Sequence, residues 1–99
     1  MSEDFIPLDP PGTILLEEFI EPSGSTQKAV AEATGIAYVR LNELVNGKRR
    51  MSAEYALRLA TYFRTSPELW LRLQVDYDLR LTEREKGRKI RLEVKPCAA

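Results

Sequence analysis

The side chains best suited to chemistry lie between residues 27 and 50, where amides, an arginine and a basic run follow one another. Arg40 is the strongest candidate, because a guanidinium group can donate two hydrogen bonds to guanine in the major groove of DNA. Its alternative role is an intramolecular ion pair with Glu43, three residues further along the same predicted helix. Tyr38 and Val39 precede Arg40 and are predicted to contact a base edge or a thymine methyl group. For Tyr38 the alternative is a simple surface aromatic.

Three consecutive bases, Lys48, Arg49 and Arg50, follow directly after that predicted helix. Most charge runs are merely solvated, but the position of this one favours contact with the phosphate backbone of DNA. Gln27 and Asn42 carry amides suited to phosphates or base edges, and for Asn42 an internal structural role is the alternative. The predicted DNA-contacting residues are Gln27, Ala37, Tyr38, Val39, Arg40, Asn42, Asn46, Lys48, Arg49 and Arg50.

The sequence contains few residues suited to catalysis or to metal binding. The chain has no histidine and one cysteine, Cys97, which we interpret as a tail residue. The side chain that most often performs acid–base catalysis near neutral pH is therefore missing, and of the two commonest ligands of transition metals, histidine and cysteine, only one cysteine is present. No pair of carboxylates stands out from the ordinary surface charge. The sequence predicts neither an enzyme nor a metal site nor a bound cofactor.

The length and the charge distribution are compatible with a single globular domain that contacts nucleic acid. Ninety-nine residues form one domain, and 43% hydrophobic with 30% charged residues is typical of a globular protein. The formal net charge is zero, but residues 1–34 carry seven acids and one base whereas residues 35–66 carry six bases and two acids. Such a basic patch suffices for phosphate contact. No apolar run approaches the roughly 20 residues of a membrane span, and the start is acidic where a secretory signal is basic, so we expect a cytoplasmic protein.

Capping residues, glycines and apolar spacing predict five helices. In the first, Leu15 pairs with Phe19 and Leu16 with Ile20, four residues apart. The second and third are short and are joined by a tight turn that contains Gly35, which is the layout of a helix-turn-helix. The predicted ranges are about 11–20, 27–34, 37–46, 54–63 and 67–81.

The fifth helix carries two apolar stripes. Leu69, Trp70, Leu73, Tyr77 and Leu81 form one, and Leu71, Val75 and Leu79 form the other. Such a wide apolar arc either crosses the centre of the bundle or forms part of a dimer interface, for which Trp70, Leu73, Tyr77 and Leu81 are the candidates. Beyond it, residues 90–94 alternate apolar and charged side chains, a pattern compatible with a short strand or with the end of a helix.

The segment TQKAVAEATGIAYVRLNELVNGKR, residues 26–49, resembles the helix-turn-helix of Cro and related repressors. Together with Pro11-Gly12, ALRLA at 56–60 and TSPELWL at 65–71, it resembles more narrowly the HigA (VapI-like) antitoxins. The resemblance covers about residues 11–81. It implies an all-α, five-helix bundle of the lambda-repressor-like type. The short C-terminal strand or helical extension beyond this bundle is expected from the pattern of residues 90–94 and not from the resemblance. The resemblance also implies a homodimer that binds double-stranded operator DNA, represses its own operon and neutralises a HigB-like ribonuclease toxin.

These observations predict three parts: an N-terminal arm at 1–10, a DNA-binding domain at 11–81 and a charged extension at 82–99. The acidic first third, which includes Glu3, Asp4, Glu17, Glu18 and Glu21, is suited to a cationic partner such as a basic toxin. A solvated helix face is its alternative. Two other functions stay open: a free-standing repressor without a toxin, and a helical protein-interaction module that does not use its DNA-facing side.

Overall fold

The computed structural model describes residues 8–98, so that most of the predicted N-terminal arm, including Glu3 and Asp4, lies outside the described residues. Within this range the chain forms five helices and no strand. The first, α1, comprises an α-helical turn over Pro11–Ile14 that continues into a π-helical segment over Leu15–Ile20. The others are α2 (Gln27–Thr34), α3 (Tyr38–Val45), α4 (Ala53–Phe63) and α5 (Pro67–Glu93).

Hydroxyl caps start three of these helices. The side chains of Thr26, Ser52 and Ser66 each accept a hydrogen bond from the backbone N–H three residues further on, at 3.1–3.2 Å. This bond satisfies one of the N–H groups that a helix leaves without an intrahelical partner. α2 ends at Gly35, whose φ of 76° is left-handed and favours glycine. The predicted range of α2 is confirmed, that of α4 differs by one residue at its start, and that of α3 is one residue too long at each end.

The π-helical segment changes the buried face of α1. Its backbone bonds span five residues, as in the bond from the N–H of Glu21 to the carbonyl of Leu16 at 2.9 Å. The fully buried residues are accordingly Leu15 and Ile20, five apart, while Leu16 and Phe19 are half-buried. The predicted buried stripe is present, since all four side chains lie in the core or pack against it, but the two fully buried ones are five residues apart rather than four.

One core joins all five helices. α1 crosses α3 so closely that a Cβ atom on Gly12 would lie 1.8 Å from the carbonyl oxygen of Leu44. Trp70 is completely buried, lies 4.8 Å from the Phe19 ring and donates a hydrogen bond from its indole N–H to Thr65 at 2.8 Å. The largest fully buried side chains are Leu15, Ile20, Val30, Leu41, Leu44, Leu59 and Trp70.

The fifth helix is longer than predicted. It runs through Gly87 to Glu93, so the strand alternative for residues 90–94 is wrong and the helical one is correct. Once a helix exists, each added residue gains a backbone bond, and this segment is rich in good helix formers such as glutamate, lysine, arginine and leucine. Pro96 favours an end at this point, because a proline disfavours helical backbone in the residue before it. The domain boundary expected after residue 81 falls inside this continuous helix.

Candidate nucleic-acid interface

The N-terminal end of α3 projects from the body of the protein. Ala37, Tyr38, Val39 and Arg40 are all exposed, with Tyr38 at 53% and Val39 at 57%. The opposite face of the same helix is anchored, because Leu41 and Leu44 are fully buried in the core. An exposed end on a firmly seated helix matches what a recognition helix needs to enter a DNA groove.

Three amides connect the start of α2 to the end of α3. The side-chain NH₂ of Asn46 donates to the Asn42 oxygen at 3.1 Å, and the Asn42 NH₂ donates to the Gln27 oxygen at 3.2 Å. The structure therefore brings together three residues that the sequence placed 19 positions apart. The internal role considered for Asn42 is present, and it orients Gln27 and Asn46 at either end of the row.

Glu43 holds two of the predicted contact residues. One of its carboxylate oxygens accepts from Arg40 Nη1 at 3.1 Å and from Arg49 Nε at 2.9 Å. These bonds, that from Arg49 first and that from Arg40 second, lower the pKa of the Glu43 carboxyl below its ordinary value. The ion pair weighed for Arg40 in the sequence thus exists in the free protein. It leaves the remaining N–H groups of the guanidinium available to a base.

The basic loop after α3 is fastened to α5. The Arg50 guanidinium pairs with the Asp78 carboxylate, and the other Asp78 oxygen accepts from the Gln74 amide at 3.0 Å. Gln74 is buried, and its oxygen accepts from the backbone N–H of Met51 at 2.7 Å. Lys48, in contrast, is exposed at the tip of the loop. The sequence analysis missed Gln74 and Asp78, whose only local signal was a polar side chain within the apolar arc of a helix.

We expect Gln74→Met to lower the free energy of unfolding by about 1 to 2 kcal/mol, because the buried N–H of Met51 would lose its acceptor while the side-chain volume hardly changes. Urea unfolding followed by the fluorescence of Trp70, the only tryptophan, measures this. Arg88→Met, at an exposed position of the same helix, is the control and should change stability by less than about 0.5 kcal/mol. Equal losses in the two variants would show that the Gln74 bond contributes nothing.

The predicted dimer residues differ in their exposure. Trp70 has no exposed surface to offer to a partner, since it is wholly internal to one chain. Leu73, Tyr77 and Leu81 are half-buried. The exposed apolar side chains belong instead to the second stripe, with Val75 at 62% and Leu79 at 67%.

The acidic residues predicted to bind a toxin are exposed. They lie in the C-terminal half of α1 and directly after it: Glu17, Glu18 and Glu21.

The described residues offer neither a metal site nor a membrane span. Among residues 8–98, no three cysteine or carboxylate side chains are grouped to hold a metal ion. In the same range, no helix is both long and apolar enough to cross a membrane.

Two short helices at a tight glycine turn, with an arginine and an amide on the second and a basic loop after it, define a helix-turn-helix protein of the DNA-binding class. Residues 16–70 match the helix-turn-helix family. The chain is 41% identical over 76 residues to virulence-associated protein I of Dichelobacter nodosus, an alignment that covers 77% of this chain and 70% of that protein.

Solved structures are similar over nearly the full length. An addiction module antidote protein of the HigA family from Coxiella burnetii has a TM-score of 0.87 at 37% identity, covering 93% of this chain and all of that one. Pseudomonas aeruginosa antitoxin HigA, solved with the higBA promoter, has a TM-score of 0.86 at 33% identity and covers 91% and 98% of the two chains. The chain therefore belongs to the helix-turn-helix family, within the group of VapI and HigA antitoxins. The predicted all-α fold is confirmed, and the family is not one of enzymes.

Proposed function

We propose that this protein is the antitoxin of a type II toxin–antitoxin module, which binds operator DNA as a homodimer, represses its own operon and neutralises a HigB-like toxin. The DNA-binding function is supported above all by the exposed N-terminal end of α3, which includes Arg40, and by the basic loop that follows this helix. The similarity of the whole chain to a HigA antitoxin solved with its promoter supports the same conclusion.

The decisive test is binding to the DNA upstream of the protein's own gene. We expect specific binding in the range of about 10⁻⁸ to 10⁻¹¹ M, with an affinity that falls steeply as salt rises. A scrambled duplex of the same length is the control. Equal affinity for the two duplexes would contradict a repressor, and no binding to either would favour a protein-interaction module.

The toxin partner is tested by co-expression with the neighbouring gene. Glu17, Glu18 and Glu21 form an exposed acidic surface on α1, which we assign to the basic toxin because opposite charge speeds association. A stable complex that purifies together and suppresses ribonuclease activity is the expected result. A protein that binds its operator but captures no neighbour would instead be a free-standing repressor.

The dimer is assigned to the exposed apolar groove along α5. Its apolar lining is formed by Leu69, Leu71, Leu73, Val75 and Leu79, and charged side chains of Glu68, Arg72 and Asp76 also line it. A contiguous exposed apolar patch rimmed by charged residues is typical of a protein–protein interface. A second copy is the occupant we propose, because readers of two half-sites place their recognition helices about one DNA turn, roughly 34 Å, apart.

We expect Leu79→Glu to convert the dimer into a monomer, because a carboxylate would lose its hydration in the apolar groove. Light scattering at tens of micromolar protein should then give the mass of one chain, 11.3 kDa, in place of two. Leu57→Glu, at an exposed leucine of α4 outside the groove, is the control and should stay dimeric. Wild-type protein that is monomeric without DNA would overturn the assignment.

A further inference from the structure

Glu43 occupies an unusual position for an acid. It lies on the recognition helix, and one oxygen of its carboxylate bonds both to Arg40, the proposed base reader, and to Arg49, on the loop proposed to grip phosphates. Its side chain is one-third exposed, as are about half of Arg40 and a third of Arg49, so all three groups meet the solvent on one surface. The negative charge of Glu43 repels the phosphates that this surface is proposed to approach, and it does so whatever the DNA sequence.

We propose that Glu43 is a specificity-determining residue, which weakens binding to random DNA and keeps Arg40 oriented toward its base. This inference rests on the proposed operator-binding function. It goes beyond that function by assigning the discrimination between operator and random DNA to an acid that is not itself a DNA ligand.

The first effect is electrostatic and independent of sequence. Two arginines and one carboxylate carry a net charge of one, so that this part of the surface attracts phosphates less than the two arginines alone would. Arg49 bonds to Glu43 through Nε alone, so its Nη groups can still reach a phosphate, but the adjacent carboxylate offsets part of the attraction. This loss of electrostatic attraction is the same for every duplex. On random DNA nothing offsets it, because no base there accepts the hydrogen bonds of Arg40.

The second effect acts on operator DNA alone. Glu43 binds Arg40 through Nη1, which leaves the edge formed by Nε and Nη2 free to donate two hydrogen bonds to a guanine. Arg40 can therefore keep its bond to Glu43 while it reads the base. A side chain already held in one orientation loses less conformational entropy on binding, which offsets the repulsion at the correct sequence.

Glu43→Gln is the test, measured as binding isotherms on operator and scrambled duplexes over several salt concentrations. We expect affinity for scrambled DNA to rise about fivefold at 0.15 M salt, and the salt dependence to steepen by about one counterion, as for one more phosphate contact. Operator affinity should rise less, so that the ratio of the two affinities falls. In an Arg49→Ala background, Glu43→Gln should no longer steepen the salt dependence.

The matched control is Glu83→Gln on α5, which removes the same charge and also takes away a carboxylate paired with an arginine, Arg91. It should leave the ratio unchanged. If Glu43→Gln weakens operator binding alone, Glu43 itself reads a base, and if the variant matches the control, the ion pairs are only structural. Either result overturns the proposal. A wild-type protein that does not discriminate between the duplexes would refute the proposed function instead.

Discussion

Arg40→Ala is expected to weaken operator binding by about 1 to 3 kcal/mol, roughly 5- to 150-fold, and to narrow the gap between operator and scrambled DNA. The physical reason is the loss of a bidentate contact to one base, which random DNA does not provide in register. The position of Arg40 supports this, since it lies on the exposed side of a helix whose other face is fully buried. Isotherms on both duplexes, at matched salt, measure the effect.

Lys48→Ala is the matched control for Arg40→Ala. Lys48 follows the end of α3 and is exposed at the loop, where it can reach phosphates rather than base edges. We expect it to weaken binding to both duplexes equally and to lower the salt slope by about one counterion. Arg49 is less suitable for this comparison, because its replacement also disturbs Glu43. Equal losses on both duplexes for Arg40→Ala would mean that α3 does not read bases with this residue.

Gly12→Ala should lower the free energy of unfolding by about 3 kcal/mol, because the new methyl group would overlap the carbonyl of Leu44 and force α1 and α3 apart. A gap of 1.8 Å to a backbone atom cannot be relieved by a side-chain rotation. Alanine is favoured over glycine in a helix by about 1 kcal/mol, so the clash must exceed that gain to be seen at all. Urea unfolding monitored by Trp70 fluorescence gives the value.

Thr13→Ala serves as the control for Gly12→Ala, because it introduces the same residue at the next position of the same helix. It should change stability by less than about 0.5 kcal/mol. Since Leu44 lies on the proposed recognition helix, Gly12→Ala should also weaken operator binding under conditions where the variant is still folded. A Gly12→Ala protein as stable as the control would show that the two helices have room to separate.

The short helices could be read from the chain because their limits depend on neighbouring residues. Thr26 and Gly35 bound α2 through a hydroxyl cap and a left-handed turn, and both signals act within four residues. The burial of Leu41 and Leu44 was also foreseeable, because an amphipathic helix exposes its apolar stripe only at a cost. The π-helical segment in α1 carried no such local signal.

The residues of the candidate interface could be predicted from the sequence, but most of the hydrogen bonds between them could not. Arg40 and Glu43 lie three apart on one helix, so their ion pair could be foreseen from spacing alone. The bond from Arg49 to the same carboxylate depends on how the loop turns back after α3. The row from Gln27 to Asn46 likewise depends on the angle at which α2 and α3 cross, which is set by packing rather than by local preference.

Packing also decided which residues of α5 are available to a partner. Sequence periodicity identifies two apolar stripes but does not say which one faces the core, because both have helical spacing. The contact of Trp70 with Phe19 and its bond to Thr65 turn the first stripe inward and leave Val75 and Leu79 exposed. Helix limits and apolar spacing are local properties of the chain. Which face of α5 is buried depends on contacts between residues far apart in the sequence. The same is true of the bond by which Gln74 holds the basic loop.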